Sequence, residues 1–209
     1  MRETSSYDQS LPGNQQLLLR ELTHRVNNDF AAAIAIVSLT AARSPNKEVK
    51  AALTAVEERL HNYVQVQRCL GVPSTNKSID ASTHLRKLCQ SISRARLDRY
   101  GIELLFVECP VELDSDRCWS LGLIVSELVT NSSRHVFDCG RGKIIVELSR
   151  SGPFARCRVS DNGICEPEEK LDRTSKIIES LTASLHGTVE HSFGPQRNSS
   201  ALVFPLYLP

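Results

Sequence analysis

Between Leu17 and Val37 the apolar residues Leu19, Leu22, Val26, Phe30, Ala33 and Val37 recur at three- and four-residue steps. That spacing predicts an amphipathic helix with one apolar stripe. The helix is expected to reach about Ala42, where Arg43-Ser-Pro-Asn46 makes a turn that Pro45 prevents from continuing as helix. A second helix follows from about Lys47 to Leu70, with Val49, Ala52, Val56, Leu60, Tyr63 and Leu70 in near-heptad spacing. So short a turn between long helices implies an antiparallel hairpin. Two helices alone bury too little surface, and the simplest partner for both stripes is a second copy of the hairpin. The expected assembly is a four-helix bundle in a homodimer.

Past Gly71 the pattern changes. Residues 71–78 read as a linker by composition, and mixed helix and strand signals follow. Asp80 suits the cap of a helix carrying Leu85, Leu88, Ile92 and Leu97. Ile102–Glu108 reads as a strand, with a short second one near Val111, and a long helix covers about Asp116–Phe137. Gly140-Arg-Gly142 marks a turn between that helix and the strand pair Lys143–Ser149 and Ala155–Ser160. A helix over about Leu171–Leu185 should stop at Gly187 as a left-handed residue. Thr188–Phe193 and Ala201–Leu208 supply two last strands. The chain therefore divides into a flexible lead-in (1–13), a helical hairpin (14–70), a linker (71–78) and an α/β domain (79–209). The fold class is α+β: the hairpin, then a two-layer sandwich with helices on one face of a mixed sheet.

Composition narrows the function classes. A formal net charge of +1 over 209 residues offers no electrostatic attraction for nucleic acid or an anionic membrane. No apolar run approaches the roughly 20 residues a bilayer span needs, and MRETSSYDQSLPGNQQ lacks a signal-peptide core, so a cytoplasmic location is expected. The 7 cysteines include no CxxC pair and read as reduced, mostly buried small residues.

Three places carry candidate chemistry. His24 points away from the first apolar stripe, with Glu21 one turn before it and Asn28 one turn after. A carboxylate there can hold the imidazole proton on one nitrogen and leave the other as a nucleophile. An ordinary solvated helix face has the same composition. On the long helix, Glu127, Asn131 and His135 fall at i, i+4 and i+8, with Arg134 beside them. That set suits a divalent metal with phosphate oxygens, and equally a polar solvent face. Finally, Asp161-Asn162-Gly163 emerges from a strand end, where the carboxylate can accept from an exocyclic amine such as adenine's and Gly163 lets backbone approach. The tripeptide is also a plain turn sequence.

In this order the pieces resemble the bacterial two-component sensor histidine kinases over about Gln15 to Pro209. Glu21-Leu-Thr-His24-Arg-Val-Asn-Asn28 is similar to the phosphoacceptor helix of the H-R-x-x-N subgroup, related to the HWE kinases. Glu127-Leu-Val-Thr-Asn131 with Arg134-His135-Val-Phe resembles that family's N box, and Asp161-Asn162-Gly163 its adenine-reading G1 box. The resemblance implies a dimerisation and histidine phosphotransfer hairpin joined to a Bergerat-type ATP-binding domain. By it, His24 accepts the γ-phosphoryl group of ATP and Asn131 holds Mg²⁺. Glu127 assists proton transfer, Arg134 and His135 lie near the phosphates, and Asp161 and Gly163 read adenine. The phosphoryl group then passes to an aspartate of a response regulator receiver domain. From the length of 209 residues, either a separate sensory protein is expected to supply the signal or the chain is a phosphorelay intermediate.

Two stretches depart from that family. The region of the glycine-rich ATP lid is Glu166-Pro-Glu-Glu-Lys-Leu-Asp-Arg-Thr-Ser-Lys176, which has no glycine and four carboxylates that repel phosphate unless turned away. The last glycine box is replaced by Gly194-Pro-Gln-Arg-Asn-Ser-Ser200, where Ser199 is the candidate for the usual threonine. A histidine phosphotransferase or phosphatase of the same fold, with a degenerate nucleotide site, is the alternative expectation. A dimeric scaffold in which His24 is incidental is the third.

Overall fold

The structure is a computed structural model that describes residues 11–71, 78–137, 142–163, 176–194 and 197–207. It divides into two compact units, Met1–Glu57 and Glu58–Pro209. The first unit holds α1 (Leu11–Arg43) and the start of α2 (Lys47–Cys69). Asn46 caps α2, its Oδ1 accepting from the backbone N–H of Glu48 at 2.8 Å and of Val49 at 3.3 Å. Both helices keep much of their apolar stripe exposed, Leu22, Val26, Val49 and Val56 included.

The second unit begins inside α2. Val66 is buried in its core, and Tyr63, Cys69 and Leu70 pack against that core. Trp119 fixes the end of α2 by donating from Nε1 to the Leu70 carbonyl at 2.8 Å. The expected linker lies outside the described residues over 72–77. Ser78, its last residue, opens a three-residue strand, β1 (Ser78–Asp80), antiparallel to β3 (Glu112–Asp114).

Asp80 caps α3 (Ala81–Ile92) as its sequence predicts, accepting from the N–H groups of Ser82 and Thr83. The expected continuation to Leu97 is not plain α-helix. Residues Ser93–Leu97 form a π turn and Asp98–Tyr100 a 3-10 turn. A π turn is wider than an α turn, pairing i with i+5, and Leu97 at its end is buried in the same core as Ile92.

The main sheet combines β2 (Ile102–Val107), β4 (Gly142–Ser151), β5 (Phe154–Asp161), β6 (Thr188–Phe193) and β7 (Asn198–Pro205). Their spatial order is β2-β4-β5-β7-β6, with β2 parallel to β4 and the rest antiparallel. The expected turn at Gly140-Arg lies outside the described residues. Helix α4 (Ser115–Phe137) packs on β4 and β5 and touches α3 and α5 (Lys176–Ser184). Its buried Leu121, Ile124, Val125, Leu128 and Val129 meet Ile144, Val146, Leu148, Cys157 and Val159 from the sheet in one core. Five described cysteines are free, with Cys89, Cys118 and Cys157 buried. Burial pushes the Cys89 and Cys118 thiols up to about 12, so they serve as small apolar residues.

The left-handed stop after α5 falls on His186 (φ 53°), one residue before the glycine from which it was expected. His186 N–H donates to Ala183 O and Gly187 N–H to Thr182 O, both at 3.0 Å, the pairing of a Schellman stop. Gly187 has a different task, set by its approach to β7.

Candidate functional site

Antiparallel partners in register share a sheet face, and neighbours along a strand alternate. The registers therefore define rows. One runs Leu104, Ile144, Asp161, Asn198, Phe193 across all five strands. Val159 and Leu202, two and four positions along from Asp161 and Asn198, lie on the same face within the core. Asp161 and Asn198 are thus a polar pair on the helix-covered face, buried at 4% and 2% exposure.

The pair is hydrogen-bonded. Asp161 Oδ1 accepts from Gly163 N–H and from Asn198 Nδ2, both at 3.0 Å, and Asn198 Nδ2 also donates to Gly163 O at 2.9 Å. Asn162 ties the loop to β4, its Oδ1 accepting from Lys143 N–H at 2.7 Å and its own N–H donating to Lys143 O at 3.3 Å. The turn chemistry legible in Asp-Asn-Gly is therefore spent on pinning Asp161 at the strand end. Ile144 on one side and Phe193 on the other flank a carboxylate and a carboxamide, a setting that suits the polar edge of a flat heterocycle.

Ser199 belongs to the next row, with Leu105, Ile145, Ser160 and Ser192, on the opposite face of the sheet. Ser160 Oγ there accepts from Arg197 Nη2 at 3.2 Å. The structure brings Asn198, and not Ser199, to Asp161. Sequence reasoning passed over Asn198 because Arg-Asn-Ser-Ser reads as loop. Counting back by twos from the inward Phe204 and Leu202 reaches Ser200 and then Asn198.

Glu127 and Asn131 lie one turn apart on α4 and are half-buried, while Arg134 is exposed. The side chain of His135 lies outside the described residues. Only four residues separate Phe137 from Gly142, a reach of at most about 18 Å. The last turns of α4 are accordingly held at the end of the sheet where Ile144 pairs with Asp161. Thr130 Oγ1, between Glu127 and Asn131, caps Ser126 O at 2.8 Å and accepts from Arg96 Nη1 at 3.2 Å. Among the described residues no group of three or more His, Cys, Asp and Glu converges on a metal position. A Mg²⁺ held by one carboxamide with phosphate oxygens and water needs none, and Asn131 is the residue that fits that donor set.

Glu21, His24 and Asn28 are exposed and share one face of α1. The Glu21 carboxylate is engaged by Arg25, whose Nε donates to Oε1 at 2.9 Å. The acidic stretch 166–175 lies outside the described residues. A cleft of about 340 Å³ beside β2, lined by Arg86, Gln90, Arg94 and Phe106 among others, shares no residue with the Asp161 row's polar pair and stands two strands away from it. Among the described residues no helix is long and apolar enough to cross a membrane.

Comparison with known proteins gives this arrangement a context. Residues 21–96 match a family model described as histidine kinase (HisKA_2). The sensor histidine kinase PdtaS of Mycobacterium tuberculosis is 29% identical over 184 residues, 82% of this chain and 36% of that protein. The chain thus spans about a third of the length of that relative. The histidine kinase domain of the Erythrobacter litoralis EL346 blue-light activated histidine kinase shares the fold, with a TM-score of 0.61 at 20% identity, over 86% of this chain and 96% of that one. A structure described as a bacterial phosphotransferase superposes with a TM-score of 0.64 at 12% identity, over 95% of this chain and all of the other.

Proposed function

We propose that this chain, a relative of the sensor histidine kinases, is an ATP-dependent protein histidine kinase of a two-component system. His24 takes the phosphoryl group and hands it to an aspartate of a response regulator receiver domain. The observation that carries this reading is the buried, hydrogen-bonded Asp161–Asn198–Gly163 cluster at the end of β5. A decayed nucleotide site has no need of a buried carboxylate held in this way, since burying and ordering polar groups costs stability.

Each remaining residue then has a role. The exposed His24 presents a ring nitrogen as nucleophile, with Asn28 beside it and Glu21 orienting the helix face through Arg25. The bond from the γ-phosphorus to its bridging oxygen breaks, a P–N bond to the imidazole forms, and ADP leaves with the bridging electrons. Glu127 takes the proton that the phosphorylated ring loses. Asn131 holds Mg²⁺, and Arg134 and His135 oppose phosphate charge. Phosphoryl transfer asks chiefly for positioning and neutralisation, which these residues supply. The hairpin of residues 14–70 dimerises and carries His24, and residues 79–209 hold the nucleotide. The protein works in the cytoplasm.

The second reading, a histidine phosphotransferase, is favoured by the carboxylates at Glu166, Glu168, Glu169 and Asp172 and by the similarity in fold to the bacterial phosphotransferase. One experiment separates the two. Purified protein is incubated with γ-labelled ATP and Mg²⁺ beside His24→Ala and Asp161→Asn variants. Acid-labile label that vanishes in both variants is the expected result. A folded protein that takes no label from ATP, yet accepts it from a phosphorylated receiver domain, establishes the phosphotransferase.

A further inference from the structure

The side-chain amide of Asn198 has only one orientation that its surroundings permit. Its two polar neighbours, Asp161 Oδ1 at 3.0 Å and Gly163 O at 2.9 Å, are both acceptors. The NH₂ group must face them, because the reverse orientation would set oxygen against oxygen twice. The carbonyl oxygen Oδ1 is thereby turned away from both, and it is buried with no hydrogen-bond partner among the described residues. A buried acceptor left in this state is a cost to the fold that a ligand donor removes.

The chemistry of that donor follows from the row. Asp161 and Asn198 stand opposite each other on β5 and β7, between Ile144 and Phe193. Both hydrogens of the Asn198 amide are committed to protein acceptors, so the residue offers a ligand an acceptor and nothing else. Beside it stands a carboxylate, whose oxygens also only accept when ionised. A ligand edge that approaches the pair must bring hydrogens. A 6-amino purine carries two on its exocyclic nitrogen, whereas a 6-oxo purine brings an oxygen to the same place.

We propose that Asn198 is a second base-reading residue, whose Oδ1 accepts one amine hydrogen of adenine while Asp161 accepts the other, so that the site selects 6-amino over 6-oxo purine nucleotides. The proposal rests on the nucleotide-binding reading above and adds the residue that sets its specificity. Asn198 also steadies Asp161 and the Gly163 backbone, so its amide does two jobs with different atoms: Nδ2 positions, Oδ1 recognises.

The test is calorimetric titration of the whole chain with Mg²⁺ and ATP, ITP or N6-methyl-ATP, with thermal unfolding run in parallel. ITP replaces the amine by oxygen, and N6-methyl-ATP keeps one amine hydrogen. Wild type should bind ATP at least tenfold more tightly than ITP, and N6-methyl-ATP roughly fivefold to tenfold more weakly than ATP, the worth of one hydrogen bond. Asn198→Leu should lose about tenfold in ATP affinity with little change for ITP. Asn198→Thr, whose hydroxyl donates to Asp161 and still accepts, should recover most of the preference. An ATP to ITP ratio unchanged in Asn198→Leu would overturn the role of Asn198 and leave the ATP reading standing. Equal loss for both nucleotides would reduce Asn198 to a structural residue and overturn the proposal likewise. Should the Leu variant not fold, equal binding of ATP and N6-methyl-ATP by wild type still overturns it. Wild type that binds none of the three removes both the proposal and the reading beneath it.

Discussion

Gly187 approaches Val203 so closely that a methyl group on its α-carbon would stand 2.7 Å from the Val203 carbonyl oxygen. The pairing of β6 with β7 begins at the next residue, Thr188 opposite Val203, so α5 turns directly into the sheet edge. The left-handed turn itself is made by His186 at φ 53°. Glycine is required here for closeness, and the histidine bears the unfavourable dihedral.

That division of labour predicts opposite effects at adjacent positions. Gly187→Ala forces a carbon against backbone and should destabilise by about 1–3 kcal/mol. His186→Gly relieves left-handed strain and should stabilise by up to about 1 kcal/mol. Urea unfolding of the two variants checks the order. A harmless Gly187→Ala with a damaging His186→Gly would assign the turn to the glycine.

Much of the α/β unit was legible because its determinants are local. Leu85, Leu88 and Ile92 declare α3 by their spacing, Asp80 declares its start, and Ile144, Val146 and Leu148 alternate as a strand facing a core must. What escaped depends on partners distant in sequence. Strand β1 is three residues with one apolar side chain, and it exists because Glu112–Asp114 pairs with it. The π turn at Ser93–Leu97 answers to the burial of Leu97, which no local propensity encodes. Of the candidate site, the strand-end turn that joins Asp161 to Gly163 was legible. Asn198 was not, because its role comes from a register with Asp161 that is 37 positions away.

Asp80 offers a test of local against global stability. Its carboxylate accepts from Ser82 N–H at 3.0 Å, Ser82 Oγ at 2.8 Å, Thr83 N–H at 3.3 Å and Thr83 Oγ1 at 2.6 Å. The Thr83 hydroxyl, ahead of the Ser82 groups, holds its pKa below the usual carboxylate value, against a smaller opposing effect of burial. Asp80→Ala should cost about 1 kcal/mol, a typical loss for a helix cap. Because the folded pKa is depressed, the contribution is fully present above the unfolded value near 4 and is lost as pH falls through the folded one. The gap between wild type and Asp80→Ala, measured by thermal unfolding, should therefore shrink in acid and stay level from about pH 5 upward.

His84 predicts a second, separate pH window. Burial, aided by Lys87, lowers its pKa, and its Nε2 is buried against α4 without a hydrogen-bond partner among the described residues. A Cβ on Gly122 would come within 3.0 Å of that nitrogen. The unfolded chain takes a proton near pH 6.5 that the folded chain resists, so stability should fall as pH drops through 6.5 and level off below the folded value. His191, also lowered by burial, adds to the same slope. His84→Leu should flatten part of that slope and, by removing an unpaired buried nitrogen, raise stability at pH 6. A slope between pH 7 and 5 identical to wild type would show that His84 does not contribute to it.

The exposed stripe of the hairpin carries the last prediction. Leu22 is 49% exposed and Val26 42% on α1, and Val49 is 44% and Val56 43% on α2. These are the positions whose spacing defines one face of each helix, and a second hairpin is the partner that buries them all at once. His24 lies off that face, so dimerisation leaves it open. Val26→Asp with Val56→Asp places charge in the seam and should convert the protein to a monomer in sedimentation at micromolar concentration. Thermal unfolding of the unit from Glu58 onward should be unchanged, since neither residue is part of its core. A dimer that survives both charges would mean that the stripe is covered in another way. A monomer that still labels His24 from ATP would show that each chain phosphorylates itself.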